Sequence, residues 1–225
     1  MKKKSVAALI LAAALAAQPM CVFASSSSDS DGGVTTTTTT GSTKSDTAVT
    51  VTATGVKTTG ATTSADPKGT SIGVVVETTT TTGQQVTVNS RGEAVVGNVA
   101  IGFAKDAQSA TSGLPSQVVS AINEINSGKN LAEVVKDVDV TGFNALTGTH
   151  AIITKDAATG QIKDTPTEVS LYVPNLVAGL NNVEVLFYNN VTGKWVLLPA
   201  VKVDPVTKTV AVNIPGSGTL SVVYK

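Results

Sequence analysis

The chain is expected to fold as a mainly β domain, an antiparallel β-sandwich or barrel-like sheet with one or two short α-helices, behind a disordered Ser/Thr-rich N-terminal segment. Three observations predict this. Thr and Val are abundant while only 14% of residues are charged, and β-branched side chains suit a pleated surface. Short alternating apolar runs recur along the second half, separated by turn residues such as Asp204-Pro205 and Pro215-Gly216, as in antiparallel sandwiches and barrels. A single stretch near residues 115–127 carries helical spacing instead.

The N-terminus reads as an export signal over residues 1–24. Lys2, Lys3 and Lys4 form a basic n-region, Ser5 to Ala17 an apolar run, and Val22-Phe23-Ala24 a small-residue cleavage site before Ser25. The apolar run is shorter than the roughly 20 residues a membrane span needs. No membrane span is therefore expected after cleavage, and the expected location is secreted or cell-surface associated. Cys21 follows Gln18-Pro19-Met20, which lacks the aliphatic and small residues of a lipidation site. It is read as part of the discarded peptide, which leaves the mature chain without thiol chemistry or disulfides. Loss of the three lysines shifts the formal charge from zero to −3. With no basic stripe, nucleic acid is not an expected partner.

Residues 25–68 read as a linker or stalk. Ser25 to Ser28, the Thr35 to Thr40 run and repeated Thr, Gly, Ala and Val leave too little apolar surface to offset the entropy of ordering. A plain spacer is the simplest role, and the hydroxyl density also suits O-glycosylation. Alternation in Ala48 to Thr52 would allow a strand if a partner were present.

The globular region spans 69–225, with a sub-boundary near 136–146. Ile72 to Glu77, Gln84 to Asn89 and Val95 to Phe103 read as strands, with turns at Ser90-Arg91-Gly92 and Gly97. Pro115 opens a helix carrying Val118, Val119, Ile122 and Ile125, with Gly128 at its C-terminal end. Asn130 caps a second short helix bearing Leu131, Val134 and Val135. The apolar stripe of the first helix is expected to pack on a sheet. From Asp137 the chain is read as β: Val138 and Val140, His150 to Thr154, Glu168 to Val173, Val183 to Tyr188, Lys194 to Val203, Thr209 to Ile214 and Leu220 to Tyr224. Pro199 within its strand predicts an edge, a bulge or a break.

The C-terminal strands are the most distinctive part. Leu186-Phe187-Tyr188-Asn189-Asn190-Val191-Thr192-Gly193-Lys194-Trp195 leads into Val203-Asp204-Pro205, and Gly218-Thr219-Leu220-Ser221-Val222-Val223-Tyr224 closes the chain. This pattern of strands and turns resembles β-sandwich modules of secreted and surface proteins of Gram-positive bacteria. The resemblance covers the last 60 to 110 residues and implies an exported β-sandwich. It brings no functional residue with it. Unlike cell-wall-anchored relatives, the sequence ends at Lys225 without a sorting motif.

Chemistry is sparse. His150 is the single histidine, and at a strand start it reads as structural. No GxSxG elbow, phosphate loop or HExxH is present. Glycosidases need only two carboxylates, but Glu77, Glu93, Glu124, Glu133, Glu168 and Glu184 are scattered without a paired motif. Asp137 and Asp139 form a D-x-D whose oxygens would suit Ca²⁺, although alternation alone puts both on a solvated strand face. Tyr172, Tyr188 and Trp195 are the candidate ligand-binding residues, since on exposed faces they would form a stacking platform for a sugar. On covered faces they would instead pack against a second layer.

The leading expectation is a secreted or surface-associated, non-enzymatic β module acting in adhesion, binding or envelope structure, without a cofactor. Its expected partners are a cell-wall or host glycan or another surface protein. The alternatives are a carbohydrate-binding module using exposed aromatics, a carboxylate-only glycan-acting enzyme, and a subunit of a surface assembly with an open sheet edge.

Overall fold

A computed structural model describes residues 49–59 and 71–225 of the chain. The expected signal peptide lies outside these residues, as does the stalk except for residues 49–59. The strands are β1 Thr50–Val51, β2 Lys57–Thr59, β3 Gly73–Val75, β4 Thr78–Thr79, β5 Gln85–Val88, β6 Ala94–Val96 and β7 Val99–Phe103. They continue as β8 Asn144–Ala145, β9 His150–Asp156, β10 Thr167–Tyr172, β11 Glu184–Asn189, β12 Lys194–Asp204, β13 Thr209–Ile214 and β14 Gly218–Tyr224. The helices are α1 Ala107–Thr111, α2 Ser116–Asn126 and α3 Leu131–Val134.

The fold is mainly antiparallel β, in one curled sheet of order β1-β2-β3-β10-β13-β12-β11-β14-β9-β7-β6-β5-β4, with β8 on β14. The long strand β12 joins its two halves. Lys194 to Pro199 pair with β11, then the register slips between Ala200 and Lys202 and the rest pairs with β13. Pro199, which cannot donate to a ladder, sits just before that slip; of the edge, bulge or break expected there, the strand forms a bulge where it changes sides. Residues 200–204 pair with β13 alone among the described strands, and the bulge and exposed Lys202 blunt that edge.

The two halves also meet at Val76-Glu77, the only residues between β3 and β4. The Val76 N–H donates to Lys57 O and the Glu77 N–H to Val86 O, both at 2.9 Å. Glu77 makes this corner at φ +55°, a left-handed conformation unusual for a non-glycine residue, and its carboxylate pairs with Lys57.

Alternation fills the space between the halves. Val169 and Leu171 of β10 face Val210, Val212 and Ile214 of β13 in a core shared with Val185 and Phe187 of β11 and Leu220 and Val222 of β14, all at most 1% exposed. The opposite face of β11 and β14 carries a second core, where Leu186, Tyr188, Trp195 and Val223 lie under Ala121, Ile122, Ile125 and Leu131 of α2 and α3. The helical stripe packs on the sheet as its spacing predicts. Buried Asn126 of α2 fastens it there, its Oδ1 accepting from the Thr149 N–H at 2.8 Å and the Thr149 hydroxyl at 3.1 Å.

Three local differences from the sequence reading have physical causes. α1 was not expected; Asp106 nucleates it by accepting the Ser109 N–H at 2.7 Å. Asp137 to Val140, expected as a strand, is a loop. There Asp139 accepts the Thr141 N–H at 2.9 Å, Gly142 turns at φ +79°, and Val140 and Phe143 drop into the second core. The conditional strand at Thr50 finds its partner: β1 pairs with β2 and β2 with β3, burying Thr58 and Thr59. No helix among the described residues is long and apolar enough to cross a membrane.

Candidate functional site

The three candidate aromatics do not share a surface. Tyr188 and Trp195 are direct cross-strand partners on β11 and β12, their rings 5.3 Å apart and tilted by 58°. They lie beneath the helices at 3% and 5% exposure. The face that alternation assigns to them is a covered one, so the expected three-residue platform is not assembled. Tyr172 has the same phase on β10 but sits on the other half of the sheet, half-buried, on the face opposite the shared core.

That outer face of β3, β10, β13 and the end of β12 bears no helix among the described residues. The β1–β2 hairpin lies over it instead. Thr54 Oγ1 donates to Thr207 O at 3.3 Å. Gly73, paired with Tyr172, faces Thr58; an added Cβ would stand 2.9 Å from the Thr58 Cβ. Glycine is therefore needed for the hairpin to approach this closely.

Among the described residues the hairpin borders three clefts, and two of them reach β10. One, of about 390 Å³, has Ser170, Thr209 and Ala211 in its lining, with Lys202, Asp204 and the Thr78 to Thr81 segment around them. The other, of about 270 Å³, is lined by Tyr172, Ile72, Gly73 and Ala53 together with Thr50, Thr52 and Thr58. The Thr wall of the first is anchored by buried Glu168, which accepts the Thr81 N–H at 2.6 Å and the Thr81 hydroxyl at 2.5 Å. The Thr207 and Val206 N–H groups donate to Asp204, which holds its carboxyl below the ordinary value of 3.8. The chemistry offered is a row of hydroxyls, one ammonium, one carboxylate and one aromatic ring. Several of the hydroxyls already bond within the chain, Thr81 to Glu168, Thr80 to Thr82 and the Gln84 N–H, and Thr207 to Thr209, which leaves them their remaining accepting capacity.

The other candidates are committed to the fold. Asp137 Oδ2 accepts the Trp195 N–H at 3.1 Å, and Asp139 caps the turn at Thr141, which lowers its carboxyl. The D-x-D is thus split between two backbone roles on a loop, rather than presented from one strand face. The described residues hold no group of three or more His, Cys, Asp or Glu side chains fit for a metal ion. His150 is fully buried at the start of β9, 6.3 Å from the Phe103 ring in an edge-on arrangement. Glu93 is buried among Lys155, Arg91 and Asn89. Burial alone would raise its carboxyl, but hydrogen bonds and charge from these three hold it below the ordinary value of 4.5.

The sequence reading missed the hydroxyl cleft. A signal existed in the run Thr78 to Thr82 between Glu77 and Gly83, but its composition matches that of the stalk. Comparison with known proteins finds no matching family model, no matching curated protein and no matching solved structure.

Proposed function

We propose that the chain is an exported, non-enzymatic β module that binds a surface partner through the outer face of β3, β10, β13 and the end of β12. One observation carries this reading. The helices cover the outer face at β11 and β14, whereas the face around Ser170 and Tyr172 opens into two clefts, one bordered by the hairpin and the other chiefly by the Thr78 to Thr81 segment. Concave, partly apolar surfaces with a few polar groups are where proteins hold ligands. A Thr-rich tether ahead of the domain suits presentation away from a surface, and the signal sequence supports export.

The test is saturable sedimentation of the purified chain with isolated bacterial envelopes, compared with Ser170→Arg, which fills the cleft from its lining without touching the core. Saturable binding by the parent and its loss in the variant is the expected result. Equal binding by both, or release of cleaved envelope fragments during incubation, would overturn the proposal. Export is checked separately by N-terminal sequencing of the secreted protein, which should begin at Ser25.

A further inference from the structure

Resting on that binding reading, we infer that the clefts flanking the hairpin form a glycan site in which a pyranose ring lies against Tyr172 and its hydroxyl groups reach the threonine side chains. A pyranose is amphipathic, with an apolar C–H face and a polar rim. The smaller cleft offers the matching pair, a Tyr172 ring beside Gly73 and Ala53, with the exposed Thr50 at its edge. The Thr52 hydroxyl accepts the Val56 N–H and the Thr58 hydroxyl donates to Thr50 O, so both are engaged within the hairpin. Gly73 directly opposes Tyr172 on the neighbouring strand, and the space its missing side chain leaves is taken by Thr58 of the hairpin, which therefore stands beside the ring.

The larger cleft extends the same chemistry. Thr209 is the partner of Tyr172 on the other side, on β13, and it lines the larger cleft together with Ser170 and the Thr78 to Thr81 wall. A chain of sugars leaving the Tyr172 niche would meet hydroxyls on short, stiff side chains, which lose little rotamer freedom on binding. The groups around Lys202 and Asp204 carry one charge of each sign, which fits a neutral hydroxylated ligand. Both clefts also share the hairpin, Val56 in one and Thr50, Thr52 and Ala53 in the other, so one segment borders both.

The site differs from the aromatic platform expected from sequence, since Tyr188 and Trp195 take no part. On the scale of an aromatic ring pair, roughly 0.5–1.5 kcal/mol, loss of a ring contact with Tyr172 corresponds to about a twofold to thirteenfold change in affinity.

The experiment uses the full secreted chain on an array of pyranose oligosaccharides, one arm carrying N-acetylglucosamine-containing wall fragments and the other mannose- and galactose-bearing glycans. Tyr172→Ala and Tyr172→Phe are run beside it, with thermal unfolding to show that both remain folded. Binding in either arm, weakened about twofold to thirteenfold by Tyr172→Ala and kept at the parent's level by Tyr172→Phe, is the expected result, and the arm that binds identifies the source. Envelope sedimentation by the parent without binding to any oligosaccharide, or oligosaccharide binding unchanged in folded Tyr172→Ala, would overturn the glycan site while leaving the binding module intact. Absence of both sedimentation and array binding would overturn the two together.

Discussion

Replacing Trp195 by alanine tests whether the second core is a structural layer. Trp195 is the single tryptophan of the chain and is 5% exposed. A buried aromatic removes about 150–250 Å² from water, and at about 25 cal/mol per Å² this gives ~4–6 kcal/mol as an upper bound. Measured losses for burying-to-alanine changes at aromatic sites run about 3–5 kcal/mol. The lost ring pair with Tyr188 is part of that cost, because alanine leaves one side of the Tyr188 ring facing a void. About 4 kcal/mol is therefore expected, a large share of the roughly 5–15 kcal/mol by which a domain is stable. Urea unfolding followed by far-UV circular dichroism gives the number, since the variant has no tryptophan to report. In the parent, Trp195 fluorescence should be blue-shifted and resistant to acrylamide quenching until the helices detach. A loss below about 1.5 kcal/mol in the folded variant, with ready quenching in the parent, would mean that the helices do not cover this face.

Gly218→Ala would place a methyl group 2.3 Å from Tyr188 O and 2.4 Å from the Phe187 ring; β14 cannot keep its register on β11, and a loss of about 3 kcal/mol or more is expected by chemical denaturation. Asn126→Ala strands the buried N–H and hydroxyl of Thr149, which costs about 1–3 kcal/mol and should show in hydrogen exchange as faster opening of α2 than of β10. Glu93 has its carboxyl held below the ordinary value of 4.5 in the folded chain. Its contribution to stability is therefore present above about pH 4.5 and is lost as the pH falls through the lower folded value. Glu93→Gln should flatten the acid side of the stability profile, and an unchanged profile would show that Lys155 and Arg91 do not hold the charge.

Strand positions were legible because each carries its own evidence: alternation in Glu168 to Val173 and Thr209 to Ile214, and turn residues between them. The helix over 115–127 was legible from spacing and from Pro115. Pro199 even announced the place where β12 changes partner. Three features were hidden. The Val138/Val140 alternation imitates a strand, and only the Asp139 turn and the second core make it a loop. The hairpin at 50–59 is stalk-like in composition, and it is stabilised by the edge of β3 rather than by its own sequence. The Thr78 to Thr81 wall also looks like stalk, yet Glu168, 87 residues away from Thr81, fixes it.

Tyr172 and Tyr188 show why strands can be read in advance while a site cannot. Both follow an inward-facing apolar residue, Leu171 and Phe187, and both therefore point away from the shared core. Period-two alternation carries that much and no more: it separates two faces without saying what covers either. What covers them is decided by other segments. At β11 it is the apolar stripe of α2, joined by Val140 and Phe143 after an Asp-capped turn, and these together bury Tyr188. At β10 it is a small Thr/Gly-rich hairpin that has few large side chains to contribute, so the ring of Tyr172 is left half-buried beside a niche. The same chain position in the strand pattern thus becomes core in one half and a candidate binding surface in the other. The deciding quantity is the apolar bulk of the covering segment, which is why a search for function in chains of this composition should weigh the layer over each strand before its aromatics.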